Sequence, residues 1–338
     1  MRPFIHERPS SVSSAIATAS NAEAVPPTQA DVQFIAGGTN LADCMKLGVA
    51  QPARLLDLNG LAEPALHQIR IDDGGIRFGA LVRMGEAADN DEVKRRCPLL
   101  ADSLKLAASG QLRNMASLAG NVLQRTRCEY FRETSWACNK REPGSGCAAM
   151  EGFNRQHAVL GTSDACIAIY HGDFAQALIA LDATVDVEGR RGARTIDFAK
   201  LHRLPGDTPN IETSLAADEV IVAIHVPLHP WSRRSRYLKI RDRESYAFAL
   251  ASAAVALEMD RDTVRQARIA LGGVATVPWR AKAAEEALQG KVLDEDVAEK
   301  AADVAFADAK PREHNAFKVP LGKRTLVRAL LETRDMKV

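Results

Sequence analysis

The sequence has little that would direct the protein to a membrane or to a nucleic acid. None of its 338 residues belongs to an apolar run long enough to span a bilayer. Lys and Arg (44) almost cancel Asp and Glu (43), and the basic residues are scattered, which argues against an anionic main partner. Hydrophobic residues make up 46% of the chain, as in a soluble globular protein with a buried core, and the length suits two domains.

The first twenty residues also lack the continuous apolar segment of a secretory signal, because Glu7 and Pro9 interrupt them. They predict instead a strand in "PFIHER" and a helix in "SVSSAIATAS", capped by Ser10 or Ser11. We therefore expect the protein to fold in the cytoplasm. A periplasmic location would require export in the folded state with a partner that carries a signal.

The sequence has neither an internal repeat nor a dinucleotide-binding fingerprint. Gly144, Gly146 and Ala149 match G-x-G-x-x-A, but no strand precedes them, so the match is rejected. Alternation of strand and helix patterns predicts an α+β protein. Its first domain is 1–226, divided into 1–60 and 61–226, and its second is 237–338, after the proline-containing "VPLHPWSRRSR".

Within these domains, the pattern predicts a hairpin in "HQIRIDDGGIRFGALV" and a helical stretch interrupted at Pro98. In the second domain, the pattern predicts three strands, in "RYLKIR", "AFALASAAVALEM" and "VRQARIALGGVATVP", followed by helices. The apolar run 247–259 fits either a helix or a buried strand by periodicity alone. We predict a strand, because the run lies between two clear strands.

Two stretches rich in small residues are candidate ligand sites. "FIAGGTNLADCMKLG" places Gly37 and Gly38 where a strand gives way to a helix, a position that favours an anion such as pyrophosphate. It is also compatible with a plain tight turn capped by Thr39 or Asn40. "ASLAGNVL" (116–123) leaves room for a planar or phosphate-bearing ligand, or for close packing of two elements.

Four of the six cysteines lie within 39 residues, spaced C-x9-C-x8-C-x18-C, at Cys128, Cys138, Cys147 and Cys166. This spacing differs from the C-x2-C pairs of zinc ribbons and from ferredoxin runs. A structural zinc site, an iron–sulfur cluster, two disulfides and four unrelated buried cysteines are the alternatives, and spacing does not decide between zinc and iron–sulfur. The other two cysteines, at 44 and 97, are predicted to be core residues.

Several of these motifs, in this order, resemble the FAD-binding subunit of the xanthine dehydrogenase family of molybdenum hydroxylases. The resemblance covers nearly the whole chain and rests on "FIAGGTNLADCMKLGVAQPARLLDLNGL", "GQLRNMASLAGNVLQRTRC", "HGDFAQALIALDATV", "AFALASAAVAL" and "ALGGVATVPWRAKAAE". It implies a two-part FAD-binding domain of the PCMH type and a small C-terminal α+β domain with a three-stranded antiparallel sheet. It also implies an oxidoreductase subunit whose partners are a molybdopterin-binding large subunit and a [2Fe-2S] small subunit.

The resemblance assigns FAD contacts to particular residues. The glycine turn would hold the pyrophosphate, "ASLAGNVL" would line the other side, Asp173 would lie near the adenosine, and Lys239 near the flavin. Asp173 as a helix cap and Lys239 as a solvated side chain are the alternatives. Many relatives have Ser where this chain has Gly172. The implied contacts are Phe34, Ile35, Ala36, Gly37, Gly38, Thr39, Asn40, Leu41, Ser117, Gly120, Asn121, Asp173 and Lys239.

The cysteine-bearing segment resembles a subset of the family, the flavin subunits of three-subunit aldehyde oxidoreductases. That resemblance implies an additional [4Fe-4S] cluster on Cys128, Cys138, Cys147 and Cys166, with an insertion at 126–168. Around such a cluster, Pro143, Gly144 and Gly146 would allow a sharp wrap, and backbone N–H groups near them would donate to its sulfides. Tyr130, Phe131 and Trp136 are expected to shield it from water. The expected function is transfer of electrons from the partner's [2Fe-2S] clusters through FAD to an external acceptor, during aldehyde oxidation. The alternatives are a stand-alone FAD-dependent oxidoreductase with its own small substrate, and a structural assembly subunit.

Overall fold

The computed structural model describes residues 1–19 and 25–338. The strands of these residues form three sheets. The first is small and parallel, in the order β1-β3-β2, and the helices after its first two strands provide the crossovers that parallel strands need. Its elements are β1 (Ile5–Glu7), α1 (Val12–Thr18), β2 (Val32–Ile35), α2 (Leu41–Lys46) and β3 (Arg54–Asp57).

The N-terminal strand and helix are confirmed. The Ser11 hydroxyl caps α1 by accepting a hydrogen bond from the N–H of Ser14 at 3.1 Å. The predicted helix extends to Ser20, which lies outside the described residues.

The second sheet is antiparallel, in the order β4-β5-β8-β6-β7. The predicted hairpin is confirmed as β4 and β5, and Phe78 of β5 packs edge-on against Phe174, with ring centroids 6.0 Å apart. This contact lies in the main hydrophobic core, which the sheet shares with α3, α5 and α9. The strands are β4 (Ile69–Ile71), β5 (Gly75–Gly79), β6 (Thr184–Gly189), β7 (Gly192–Asp197) and β8 (Val220–Pro227).

The predicted helical stretch consists of three short helices rather than two. Pro98 is the first residue of the third, where its missing N–H costs no hydrogen bond. Asn90 ends the first helix and caps the second, accepting from the N–H of Val93 at 3.0 Å. Helices before β6 are α3 (Met84–Asp89), α4 (Asp91–Arg96), α5 (Pro98–Lys105), α6 (Gly110–Met115), α7 (Leu118–Val122), α8 (Glu129–Arg132) and α9 (Asp173–Ala180).

The C-terminal part has an antiparallel sheet of three long strands, as predicted, and a two-residue strand extends it to the order β12-β11-β10-β9. Helices α10 and α12 pack against this sheet, and α11 packs against both of them. The elements are β9 (Ser235–Ile240), β10 (Ala251–Asp260), β11 (Thr263–Gly272), β12 (Trp279–Arg280), α10 (Lys282–Leu288), α11 (Glu295–Ala305) and α12 (Lys318–Arg334).

Strand β10 confirms the strand predicted in the apolar run 247–259 from Ala251 onward, and the first four residues of the run precede it. Ala254 and Ala256 face the main core, while Val255 and Leu257 face the core beneath the C-terminal helices. Because both faces of the strand are buried, its sequence shows no alternation of polar and apolar residues. In residues 1–19 and 25–338, no helix is long and apolar enough to cross a membrane.

Candidate functional site

A cleft of about 250 Å³ opens between the first sheet and the second. One wall is the turn between β2 and α2, residues 34–41, all of which line the cleft. Ser117 and Gly120, at the start of α7, also line it, and the segment 202–221 forms much of the remaining wall. The structure thus brings together ten of the thirteen residues that the sequence suggested as FAD contacts.

The two glycines of the turn are needed for different structural reasons. Gly38 has a φ of +68°, in the left-handed region that favours glycine. A Cβ on Gly37 would lie 2.0 Å from the carbonyl oxygen of Met115, so this position allows the turn to pack directly against the second subdomain. The close approach at Gly37 is therefore to the protein's own backbone.

The side chain of Asn40 does not cap α2, although the residue occupies the cap position. Its Oδ1 accepts a hydrogen bond from the N–H of Arg125 at 2.8 Å, which ties the turn to the segment after α7. From behind, the Asn59 amide donates to the carbonyl of Ala36 at 2.8 Å. Contacts from both subdomains thus fix the conformation of the turn.

Ser117 caps α7, with its hydroxyl accepting from the N–H of Gly120 at 3.2 Å. Asn121, one residue further, is buried, and its amide lies 3.3 Å from the sulfur of Met84. It lies under the cleft and does not line it.

Two polar groups of the cleft were missed by sequence reasoning. Within the described chain, the Thr28 hydroxyl and Nδ1 of His202 are buried without a hydrogen-bond partner, and both residues line the cleft. Burial lowers the pKa of His202 to about 4, and its Nε2 lies 2.8 Å from the carbonyl of Val122. Nε2 therefore donates, and Nδ1 is left as an acceptor for a ligand. No motif surrounds either residue, so no sequence signal identifies them.

Asp173 and Lys239 lie outside the cleft and contact each other. The Lys239 ammonium is 2.8 Å from one Asp173 oxygen, and the Tyr237 hydroxyl donates to the other at 2.7 Å. Burial raises the pKa of the Asp173 carboxyl, against the opposing effects of Lys239 and Tyr237. The assignment of Asp173 and Lys239 as flavin contacts therefore stays a prediction.

Steric crowding explains why a glycine precedes Asp173 in this chain. A Cβ on Gly172 would lie 2.4 Å from the Tyr170 hydroxyl oxygen, so the Tyr170 ring occupies the space that a serine side chain would need. The Tyr170 hydroxyl in turn donates to the carbonyl of Val122 at 2.9 Å.

The four clustered cysteines line one small cavity, and none of them forms a disulfide. Cys138 and Cys147 pair across an antiparallel bridge, reinforced by a 2.7 Å hydrogen bond from the N–H of Asn139 to the carbonyl of Gly146. Cys44 and Cys97 are buried, as predicted for core residues, and neither lines this cavity, although Cys44 packs in one core cluster with Cys138. The sequence thus correctly grouped the four cysteines that fold together.

Two glycines shape the hairpin between Cys138 and Cys147, and their amides are directed at Asn139. Gly144 and Gly146 have φ values of +86° and +97°, which allows the tight wrap. Their N–H groups both donate to Oδ1 of Asn139, at 3.1 and 2.8 Å. These two N–H groups are therefore used inside the hairpin, and donation by other nearby N–H groups to a cluster stays a prediction.

The sulfurs receive hydrogen bonds from other groups. The backbone N–H groups of Phe131 and Tyr130 face Cys128, where they oppose burial, which raises the pKa of the thiol to about 12. The N–H of Ala168 lies 3.5 Å from the sulfur of Cys166. Nε2 of His157 lies 3.1 Å from the sulfur of Cys128. Donors of this kind stabilise sulfur ligands and adjust their electronic properties.

Of the three aromatic residues expected to shield the cysteines, Tyr130 and Phe131 line the cavity. Trp136 does not line it; it is 53% exposed and packs edge-on against Tyr130. In residues 1–19 and 25–338, no group of three or more His, Cys, Asp or Glu side chains is arranged to hold a single metal ion.

Both parts of this architecture match known protein families. Residues 2–229 match the FAD binding domain in molybdopterin dehydrogenase, and residues 236–333 match the CO dehydrogenase flavoprotein C-terminal domain. The chain belongs to the molybdenum hydroxylase family, as an FAD-binding medium subunit. The predicted family and fold class are thereby confirmed.

Relatives align with this family member along its length. It is 47% identical to the aldehyde oxidoreductase FAD-binding subunit PaoB of Escherichia coli, over 99% of each chain. It is 28% identical to the carbon monoxide dehydrogenase medium chain of Hydrogenophaga pseudoflava, over 92% of this chain and 88% of that one. A solved structure of carbon monoxide dehydrogenase from the same organism has a TM-score of 0.73 at 28% identity and covers 98% of both chains.

Proposed function

We propose that this chain is the FAD-binding electron-transfer subunit of a molybdenum-dependent aldehyde oxidoreductase. The observation that carries the proposal is the cleft, in which a glycine turn, the start of α7 and two unpartnered polar groups converge. The 47% identity to an aldehyde oxidoreductase subunit supports aldehydes as the substrate class. The partners would be a molybdopterin-binding large subunit and a [2Fe-2S] small subunit.

The cleft residues fit an FAD molecule. The turn 34–41 lines the cleft beside the N-terminus of α2, where the first backbone N–H groups have no partner within the helix, an arrangement that suits the pyrophosphate. The small residues Ser117 and Gly120 leave room on the facing side. His202 and Thr28 offer a hydrogen-bond acceptor and a hydroxyl to the polar groups of the cofactor. Bound FAD would accept electrons from one centre and release them to another, singly or in pairs.

We propose that Cys128, Cys138, Cys147 and Cys166 hold the additional [4Fe-4S] cluster. The support is that the four thiols line one cavity, with backbone N–H groups directed at the sulfurs of Cys128 and Cys166. A structural zinc ion would need all of its ligands about 2.3 Å from one centre, whereas a cluster distributes its thiolates over several irons.

No residue of this chain needs to act as an acid or base on the aldehyde in this proposal, because the substrate reacts in the large subunit. The chain binds and orients FAD, and the fixed turn keeps the cofactor in one position relative to the partner. An external acceptor then takes the electrons from FAD.

Purification of the tagged chain from its native host, without oxygen, tests the proposal. We expect one FAD per chain on acid denaturation, and two further chains that carry molybdopterin and [2Fe-2S] clusters. A single chain that oxidises an aldehyde by itself would contradict the proposal and favour a stand-alone flavoenzyme.

A further inference from the structure

Lys140 borders both the cleft and the cysteine cavity. Lys140 lies in the hairpin between Cys138 and Cys147, and its side chain is 13% exposed. Its ammonium donates to the carbonyl of Pro209 at 3.0 Å and lies 3.7 Å from Oε2 of Glu212. The hairpin that carries two of the cysteines is thereby attached to the wall of the cleft.

Glu212 continues this connection towards the glycine turn. Its Oε1 accepts two hydrogen bonds from the Arg125 guanidinium, from Nε at 2.8 Å and Nη2 at 2.6 Å. Burial raises the pKa of Glu212, but Arg125 and Lys140 outweigh it, and the net pKa lies below the ordinary value. The carboxylate is therefore charged and bridges two cations from different parts of the molecule.

Arg125 completes the connection through two contacts. Its backbone N–H donates to the side chain of Asn40 in the glycine turn. Its guanidinium lies over the ring of Phe131, 4.6 Å from the centroid, and that ring lines the cysteine cavity. Each contact in the series from Cys138 to Asn40 is thus direct and partly or fully buried.

We infer that Lys140 is a positioning residue that couples the two sites, so that occupation of the cysteine site strengthens FAD binding in the cleft. The inference rests on the proposed function, since it requires that the cysteines bind a cluster. A cluster fixes Cys138 and Cys147, and hence the hairpin from which Lys140 reaches Glu212. Coupling between two sites is reciprocal, so bound FAD equally strengthens retention of the cluster.

The test is a thermodynamic cycle on the purified full chain. The FAD dissociation constant is measured for cluster-loaded and cluster-free protein, in the wild type and in Lys140→Met. The coupling ratio is the FAD dissociation constant of cluster-free protein divided by that of cluster-loaded protein. We expect a coupling ratio of about 5 or more in the wild type, and a ratio close to one in Lys140→Met. Lys140→Arg retains the charge and should restore most of the ratio. Lys200→Met, which removes a surface lysine paired with Asp197, should leave the ratio unchanged.

The possible failures are distinct. If the wild type binds no iron or sulfide, the cluster proposal is wrong and the coupling falls with it. If iron is present but the wild-type ratio is near one, or persists in Lys140→Met, the coupling inference alone is wrong. If cluster-free protein does not fold, the FAD affinities of the cluster-loaded variants decide the question. Weaker FAD binding in Lys140→Met, with unchanged binding in Lys140→Arg and Lys200→Met, supports the inference. Equal affinities in all of them overturn it.

Discussion

The Lys239 ammonium and the Asp173 carboxylate form an ion pair at 2.8 Å in which both side chains are at least 95% buried. The same ammonium donates to the carbonyl of Leu106 at 2.9 Å, and Tyr237 links the carboxylate to Ser252. These contacts join α9 to the C-terminal sheet. They favour a structural role for the pair over the flavin contacts that the sequence suggested.

Asp173→Asn should therefore reduce stability, because it leaves the ammonium of Lys239 buried without its counter-charge. We expect a loss of about 3–5 kcal/mol in the free energy of unfolding, measured by urea denaturation. FAD per folded chain should stay unchanged. Asp197→Asn, which breaks the exposed pair with Lys200, is the control and should leave the free energy of unfolding nearly unchanged. Loss of FAD from folded Asp173→Asn protein would instead identify Asp173 as a cofactor contact.

Gly37→Ala should weaken FAD binding and stability together. The added Cβ would meet the Met115 carbonyl, so the turn must move away from the second subdomain. We expect at least a tenfold rise in the FAD dissociation constant and a loss of about 1–3 kcal/mol in stability. Gly60→Ala, where a Cβ meets no atom within 4 Å, is the matched control. An unchanged dissociation constant in folded Gly37→Ala protein would remove the turn from the FAD site.

Much of the fold followed from local patterns in the sequence. The β2–α2 turn was predictable because a strand period changes to a helix period across two glycines, and the hairpin of β4 and β5 because turn residues separate two strand patterns. The strand β12 was not predictable, since two residues carry no period. The break at Asn90 was missed because a helical pattern continues through it, and only the capping hydrogen bond to Val93 reveals it.

The candidate site was predictable only where residues of one motif stay together. The four cysteines are close in sequence and their hairpin keeps them close in space. Thr28, His202 and Glu212 reach the cleft from distant segments, and only the packing of the two subdomains brings them there. Asp173 and Lys239 show the converse, because a sequence match does not reveal that two charged side chains form a buried ion pair.

Loss of the proton from Lys318 should make the protein more stable as the pH rises above 7. This side chain is fully buried, and its ammonium donates to the carbonyl of Gly273 at 2.6 Å. Burial, together with nearby Arg155, lowers the pKa of Lys318 to about 7, while Asp242 opposes the shift. His157 and His171 also sense this charge, because burial lowers the pKa of both imidazoles and Lys318 lowers it further.

The direction follows from proton binding. Between pH 7 and the pKa of about 10.4 of an unfolded lysine, the unfolded chain binds the proton and the folded chain does not. Stability should thus gain about 1.4 kcal/mol per pH unit from this group between pH 8 and 10. Denaturant unfolding of wild type and Lys318→Met at several pH values measures this, since other groups cancel in the difference. The free energy of unfolding of the variant minus that of the wild type should decrease as the pH rises from 7 to 10. A difference that is independent of pH would show that Lys318 titrates normally.

Cys138→Ser should remove the metal centre while the control Cys97→Ser retains it. Cys138 lines the shared cavity and pairs with Cys147, whereas Cys97 is fully buried at the start of α5 and contacts Ser235. Iron, sulfide and zinc are measured in protein purified without oxygen. We expect about four irons and four sulfides per chain in the wild type and in Cys97→Ser, and loss or marked reduction in Cys138→Ser. Because the site crosslinks the segment between α7 and α9, the unfolding midpoint of Cys138→Ser should fall as well. One zinc per chain without sulfide in the wild type would show that the four thiolates bind a zinc ion instead of an iron–sulfur cluster.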